Sequence, residues 1–212
     1  MKIALMNEWS QADKNPIIYQ ALKKATEEKG HEVYNLGMKG SDDRRLTYIH
    51  LGIMASLLLN TRAVDFIITG CGTGQGALMS LNAWTGVVCG YCIEPTDAYL
   101  FSQINNGNAL SLPFAKGFGW GAELNLTTIF EKAFDGERGQ GYPKENKESQ
   151  NTNAAILTDI KRKTGKRPVE ALGCLDKELV SHAIAGRDFQ SFFTRHAAEG
   201  EIKNFIANFI AA

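Results

Sequence analysis

The chain has 212 residues, 44% of them hydrophobic, which can fill one apolar core with an appendage but not two full domains. Lysine plus arginine and aspartate plus glutamate balance at 23 each, so nucleic acid and anionic membrane surfaces are disfavoured as partners. The N-terminus turns polar after a short apolar run and no stretch approaches the roughly 20 apolar residues of a membrane span, so we expect a soluble, cytoplasmic protein.

Short apolar segments alternate with helical segments over the first part of the chain. Strands are predicted at residues 2–7, 31–36, 64–69, 87–93 and 109–114, and helices at 16–30, 46–60, 77–83, 96–103 and 121–134. Unbroken apolar strands that alternate with helices are typical of a parallel sheet covered on both faces. The sequence therefore predicts an α/β fold with a five-stranded parallel sheet.

The composition changes after residue 134. Residues 135–153 are polar and glycine-rich without an apolar period, which predicts a long excursion over the surface. Residues 154–212 have the pattern of several short helices. We therefore divide the chain into an α/β domain over residues 1–140 and a linker with a helical extension over 141–212, packed on the core or on a partner subunit.

The four cysteines do not indicate a disulfide scaffold in a chain of this size. Cys89 and Cys92 have the spacing of zinc and redox motifs, but zinc would need a second ligand pair and the four histidines are scattered singly. Strand alternation would point the two thiols in different directions. We interpret both as core residues and predict no metal site.

A glycine-rich loop, Gly70-Cys71-Gly72-Thr73-Gly74-Gln75-Gly76, follows the third predicted strand and precedes a helix. Ligands bind at the carboxyl ends of strands in an open parallel sheet. Four closely spaced glycines let successive N–H groups converge on one point, and the helix adds its positive end. This arrangement suits a phosphate or an oxyanion, but the spacing fits neither the dinucleotide-binding nor the Walker pattern, so a nucleotide is disfavoured.

Cys71 distinguishes this loop from a simple anion site. Converging N–H donors and a helix N-terminus favour the thiolate form of a neighbouring thiol, which could act as a nucleophile or as a general base. A Cys–His hydrolase would need an imidazole, and His50 is the only candidate. The residues alone leave both roles open and favour them over an inert core cysteine.

Three segments carry a family resemblance: Asp65-Phe66-Ile67-Ile68-Thr69-Gly70-Cys71-Gly72-Thr73-Gly74, Gly86-Val87-Val88-Cys89 and Asn105-Asn106-Gly107-Asn108-Ala109-Leu110. Together with the opening strand they resemble the ribose-5-phosphate isomerase B and galactose-6-phosphate isomerase family over residues 1–140. The resemblance implies a flavodoxin-like (Rossmann-like) three-layer αβα sandwich and a homodimer, or a dimer of dimers, with sites at the interface. It also implies no metal or cofactor, and aldose–ketose isomerisation, an intramolecular oxidoreduction, through an enediolate.

The resemblance assigns roles within the loop. Cys71 would move the proton between neighbouring carbons, and Thr73 would donate a hydrogen bond or shuttle a proton at the same oxygen. The backbone would stabilise the enediolate oxygen through the N–H groups of the remaining loop residues, Gly72, Gly74, Gln75 and Gly76. Some family members use a glutamate after this loop as the base, but Ala77 stands there, which leaves Cys71.

Departures from the family pattern argue against a phosphosugar. Glu8 and Trp9 replace an Asp-His pair whose histidine touches phosphate, and Ile104 replaces a histidine that opens the sugar ring. Arg138 could match one of two phosphate-binding arginines, but Tyr142 stands at the other position. Such an enzyme should prefer an open-chain substrate and should not need to bind a phosphate dianion.

Further segments resemble the uronate branch of the same family over nearly the whole chain, among them Asn7-Glu8-x-Ser10-Gln11 and Gly117-Phe118-Gly119-Trp120-Gly121. That branch isomerises 4-deoxy-L-threo-5-hexosulose uronate, which carries a carboxylate and no phosphate. Arg138, or else Lys116 or Lys144, would bind the carboxylate. The other substrate contacts that we expect are Asn7, Glu8, Trp9, Tyr48, Asn105 and Asn108.

Two alternatives remain open at this point. The first is a sugar-phosphate isomerase of the ribose 5-phosphate or galactose 6-phosphate type with a rearranged phosphate site. The second is a non-catalytic protein that binds a sugar acid on this scaffold. Both retain a small-molecule sugar or sugar acid as the partner.

Overall fold

A five-stranded, all-parallel sheet forms the centre of the computed structural model, which describes residues 1–43 and 45–210. Its strands are β1 (Lys2–Asn7), β2 (Glu32–Asn35), β3 (Phe66–Cys71), β4 (Cys89–Tyr91) and β5 (Ala109–Pro113), in the order β2-β1-β3-β5-β4. The α/β sandwich is thereby confirmed. The first three strands follow the flavodoxin order, whereas β4 and β5 exchange places relative to it.

Helices cover both faces of the sheet. One face carries α1 (Asn15–Thr26), α4 (Pro95–Leu100) and α5 (Ala122–Ala133), and the other carries α2 (Tyr48–Asn60) and α3 (Gln75–Asn82). Each face has its own apolar cluster. Alternate residues of β1 enter the two clusters, Ile3 and Leu5 on one side and Ala4 and Met6 on the other, as the period of a strand requires.

The C-terminal helices form a further layer outside α2. These are α7 (Pro168–Cys174), α8 (Lys177–Ile184), α9 (Arg187–His196) and α10 (Glu201–Ile210). All residues from 51 to 58 of α2 are buried, because the sheet covers one side of the helix and apolar side chains such as Val180 and Phe193 cover the other. The helical extension thus packs on the core, while a division of the chain at residue 140 stays a prediction.

Three local elements differ from the sequence prediction. The strand β3 continues through Gly70 and Cys71, because these residues pair with β1 and β5. A π-helical turn (Phe101–Asn105) follows α4. The expectation of an irregular excursion up to residue 153 is wrong in its second half, since α6 (Lys147–Thr164) begins within it. The helix α6 buries none of its residues, and its polar first half, up to residue 153, shows no apolar period to detect.

The two spaced cysteines lie in opposite layers. Cys89 belongs to the cluster around α2 and Cys92 to the cluster around α1, which confirms them as core residues. Burial raises the pKa of both thiols, that of Cys92 to about 12. In the described part of the chain no group of three or more His, Cys, Asp or Glu side chains could hold a metal ion. Within residues 1–43 and 45–210, no helix is both long and apolar enough to cross a membrane.

Candidate active site

Cys71 is the last residue of β3 and lies at the carboxyl edge of the sheet, with 7% of its surface exposed. The chain that follows β5 holds this turn in place. The N–H of Phe114 donates to the carbonyl oxygen of Cys71, and the N–H of Ala115 donates to that of Gly72, both at 3.0 Å. The thiol is therefore set on a rigid strand end and not on a mobile loop.

The turn from Cys71 into α3 is tightly packed. Gly74 caps the helix in the left-handed region, at φ 75°, and its carbonyl oxygen accepts a hydrogen bond from Ser111 Oγ at 2.7 Å. The Tyr91 hydroxyl donates to the carbonyl oxygen of Thr73 at 3.0 Å. The first N–H groups of α3 have no acceptor within the helix. N–H groups at this helix start can therefore donate to an anion that binds beside the thiol.

The hydroxyl of Thr73 also faces this turn. Its Oγ1 accepts a hydrogen bond from the N–H of Gln75 at 3.3 Å, and the residue is exposed. An oxygen that accepts from the backbone keeps its own proton for donation. Thr73 is thus positioned to donate to a ligand oxygen bound at the N-terminus of α3.

A second loop, after β1, lies over the glycine turn. The register pairs Asn7 with Gly70, so the residues after Asn7 reach the same edge as Cys71. A Cβ on Gly72 would lie 3.5 Å from Gln11 Nε2 and 3.9 Å from Ser10 Oγ. Sequence reasoning used Ser10 and Gln11 only as parts of a motif. Their position directly after a strand end was the signal that could have placed them in the site.

The carboxylate of Glu8 is buried in this second loop. It accepts hydrogen bonds from the N–H of Ser10 at 2.9 Å and from its hydroxyl at 2.5 Å, and it is 4% exposed. Lys14 Nζ donates to Gln11 Oε1 at 2.7 Å and to the carbonyl oxygen of Phe114 at 2.5 Å, and burial lowers its pKa. Lys14, which sequence reasoning missed, ties this loop to the end of β5.

The structure places Asn7 behind the site and not in it. The side chain is fully buried, donates to the carbonyl oxygen of Gln11 at 3.2 Å and accepts from Asn15 Nδ2 at 2.8 Å. These bonds hold the turn Trp9–Lys14 against β1. The expected direct contact of Asn7 with substrate is thereby corrected, because no face of its amide reaches the surface.

Two aromatic residues that are predicted substrate contacts lie at the carboxyl edge. The Tyr48 ring packs on the first turn of α3, where a Cβ on Gly76 would lie 3.0–3.2 Å from the ring atoms. Trp9 is 48% exposed, and its ring lies 4.1 Å from the Arg45 guanidinium carbon. Arg45 is the second basic residue of the site that sequence reasoning missed, since it lies outside every matched segment.

The other expected contacts lie at the opposite, amino edge of the sheet. Asn105 and Asn108 precede β5, and Arg138 lies 5.4 Å from the ring of Phe66, which begins β3. Six residues of β3 separate this edge from Cys71, a distance of about 17 Å. Within one chain, the structure therefore does not bring these three side chains to the thiol.

Local bonds account for two of these side chains. Asn108 Oδ1 accepts from the N–H of Val88, and its Nδ2 donates to the carbonyl oxygen of Gly86, both at 2.8 Å. Arg138 Nη1 donates to the carbonyl oxygen of Gly107 at 2.6 Å, and burial lowers its pKa. Of the alternative cations, Lys116 follows β5 at the carboxyl edge, whereas Lys144 precedes α6.

Comparisons with known proteins match both parts of the chain. A family model described as Ribose/Galactose Isomerase matches residues 3–142, and a second, described as Ribose-5-phosphate isomerase, matches residues 164–209. The ribose-5-phosphate isomerase B of Escherichia coli (strain K12) is 34% identical over 84 residues, which are 40% of this chain. The match spans 55% of the length of that curated relative.

Two solved structures are similar over the full length. A ribose-5-phosphate isomerase from Vibrio parahaemolyticus is 56% identical with a TM-score of 0.96, covering 99% of both chains. A 4-deoxy-L-threo-5-hexosulose-uronate ketol-isomerase complexed with a tartrate is 49% identical with a TM-score of 0.97, covering 100% of both. The type B ribose-5-phosphate isomerase of Clostridium thermocellum, at 19% identity and a TM-score of 0.62 over 78% of this chain and 100% of its own, shares the fold.

Proposed function

The chain belongs to the ribose/galactose isomerase family of sugar isomerases, and we propose that it is an aldose–ketose isomerase for an open-chain 4-deoxy-5-keto uronate. Substrate and base are both parts of this proposal. The full-length likeness to a uronate ketol-isomerase supports the substrate, and the place of Cys71 beside the N-terminus of α3 supports the base.

The proposed reaction moves protons only. The Cys71 thiolate takes the proton from the carbon next to the aldehyde, and the electron pair forms the carbon–carbon double bond of an enediolate. The negative charge develops on the former aldehyde oxygen, where the N–H groups at the start of α3 stabilise it. Cys71 returns the proton to the former aldehyde carbon, and Thr73 passes the hydroxyl proton from one oxygen to the other. No redox cofactor is needed, because the two carbons exchange oxidation states.

The contacts of the histidines support an open-chain substrate over a cyclic sugar phosphate. A cyclic sugar phosphate needs an acid and base to open its ring, and imidazole is the usual group for this near neutral pH. All four histidines are engaged by other groups of the chain: His31 by the Phe134 ring, His50 by the N–H of Thr47, His182 by the carbonyl oxygen of Arg45 and His196 by the Phe192 ring. A substrate that arrives already open avoids this requirement.

One observation favours a second candidate. The similar structure from Vibrio parahaemolyticus is described as a ribose-5-phosphate isomerase, at 56% identity. Incubation of the purified protein with the 4-deoxy uronate and, separately, with ribose 5-phosphate distinguishes the two, with products separated by chromatography. We expect turnover of the uronate. Turnover of ribose 5-phosphate alone would refute the substrate, and binding of the uronate without turnover would support a non-catalytic sugar-acid-binding protein.

We also propose that the working form is a homodimer in the cytoplasm, where the four free cysteines stay reduced. The helix α6 has three apolar side chains that are half or more exposed (Ile156, Leu157 and Ile160). An open groove of about 1200 Å³ lies between α6 and the amino edge and is lined by Asn105 and Arg138. A two-fold dimer that buries this face could offer these residues to the partner's thiol.

Mixed dimers test the shared site. Cys71→Ala and Asn105→Ala chains, each inactive alone, should recover part of the activity when co-expressed, because some dimers then contain one intact site. Leu157→Glu should shift the mass measured by light scattering to that of a monomer. Leu124→Glu, an equally exposed leucine on α5, is the matched control. Mixed dimers that stay inactive, or a monomeric wild type, would exclude a shared site.

A further inference from the structure

We propose that Arg45, stacked on the indole of Trp9, binds the carboxylate of the substrate, and that the C-terminal helices hold Arg45 in this position. This inference rests on the proposed function, since it assigns the anion-binding residue of the same site. In the expectations from the sequence, neither residue 45 nor the C-terminal helices had a part in binding the substrate.

The stacking leaves the donors of Arg45 available to a ligand. The guanidinium carbon lies 4.1 Å from the centre of the Trp9 ring, so the ring covers one face of the cation. Both side chains are exposed. In the described parts of the chain, no acidic side chain forms an ion pair with Arg45. The N–H groups along the edge of the guanidinium plane can therefore donate to a carboxylate in a bidentate pair.

Arg45 lies between two segments that contact the catalytic loop. On one side, the N–H of Trp9 donates to the carbonyl oxygen of Leu46 at 2.7 Å, and Ser10 and Gln11, which follow Trp9, approach Gly72. On the other side, Tyr48 packs on Gly76. The guanidinium thus stands at the same edge as Cys71. In the proposed substrate the carboxylate is at the end of the chain opposite the aldehyde, so base and cation must bind opposite ends.

Arg138 and Lys14 fit this role less well. A carbonyl oxygen and the Phe66 ring already engage the guanidinium of Arg138, whichever subunit's thiol it faces. Lys14 is bonded to Gln11 and to the end of β5. Arg45 combines a planar, always charged group with an open face beside the glycine turn.

The C-terminal helices anchor the segment that carries Arg45. His182 Nε2, on α8, donates to the carbonyl oxygen of Arg45 at 2.8 Å. Asp188, on α9, forms an ion pair with Lys39 at the start of the same segment. On the other side, the N–H of Trp9 donates to the carbonyl oxygen of Leu46, so the backbone of Arg45 and Leu46 is held between β1 and the extension. His182 is therefore a positioning residue for Arg45.

Steady-state kinetics with the 4-deoxy uronate test the assignment. We expect Arg45→Met to raise KM by roughly 10- to 100-fold, the loss expected for a hydrogen-bonded charge pair, with kcat changed far less. The KM of Arg45→Lys should lie between those of the wild type and Arg45→Met, because lysine keeps the charge but not the bidentate geometry. Arg62→Met removes the same charge at the far end of α2 and should match the wild type. An Arg45→Met enzyme with unchanged KM would overturn the inference.

The positioning role has its own readout. His182→Ala should raise KM in the same direction as Arg45→Met, and His182→Gln, whose amide can still donate to the carbonyl oxygen, should restore it. In the Arg45→Met background, His182→Ala should have no further effect on KM. Additive effects in the double variant would show that His182 affects KM independently of Arg45 and would overturn this half of the proposal.

Calorimetric titration with L-tartrate, a small hydroxy acid, separates this inference from the proposed function. The titration needs no turnover. If the wild type fails to convert the uronate but binds tartrate, and Arg45→Met alone loses that binding, the proposed function is wrong and the carboxylate site stands. If the wild type converts the uronate and Arg45→Met retains its tartrate affinity and its KM, the function stands and the site is wrong.

Discussion

Replacing Gly74 by alanine tests whether the glycine turn between β3 and α3 is packed against β5 as described. A non-glycine residue in the left-handed region costs about 1–2 kcal/mol. The added Cβ would also lie 2.7 Å from the Tyr91 ring and 2.9 Å from the carbonyl carbon of Leu112, and such overpacking costs about 1–3 kcal/mol. We therefore expect the free energy of unfolding to fall by about 2–5 kcal/mol.

Gly121 provides a matched control for this substitution. It caps α5 with φ 82°, close to the 75° of Gly74, but an added Cβ meets nothing within 4 Å. Gly121→Ala should therefore lose only the backbone contribution, about 1–2 kcal/mol. Equilibrium unfolding in urea, followed by circular dichroism, measures both variants. Equal losses would refute the close contact between the turn and β5.

Three further predictions concern single side chains. Cys71→Ala should lower kcat by about 10²- to 10⁴-fold with unchanged unfolding, whereas Cys174→Ala, an exposed thiol, should keep full activity in the same assay. Between pH 9.0 and about 12 the Cys92 thiol ionises only in the unfolded chain, so its contribution to stability should fall by about 1.4 kcal/mol per pH unit. Cys92→Ala should reduce the slope in urea unfolding by that amount. Asn108→Ala should lower the free energy of unfolding by about 1–3 kcal/mol, since the N–H of Val88 loses its acceptor; an unchanged midpoint in thermal unfolding would contradict the bonds described.

The order of secondary structure could be read from the sequence because the two faces of the sheet bury regular apolar patterns. The five strands lie within a few residues of their predicted positions. The first half of α6, residues 147–153, escaped this reasoning because it is polar and has no buried face. The exchange of β4 and β5 also escaped it, since local periodicity holds no information on which strands are neighbours.

The site could be predicted in part for a similar reason. Residues that directly follow a strand, such as Cys71 and Trp9, must lie at the carboxyl edge, so sequence reasoning could group them. Asn108 and Arg138 belong to the amino edge, and a list of expected contacts does not say which edge each one occupies. Arg45 contacts Trp9 because of the course of the chain between β2 and α2. No sequence pattern predicts that course.

The burial of α2 on all sides has a consequence for interpreting the sequences of related proteins. In a chain of this fold that ends before the C-terminal helices, the outward side of α2 would face water, and selection would replace its apolar residues by polar ones. Here residues 51–58 are buried without interruption because the extension covers them. In a relative, apolar residues on the outward side of the second helix should therefore indicate that a helical layer or another protein covers that helix. Polar residues there should indicate that the helix faces water.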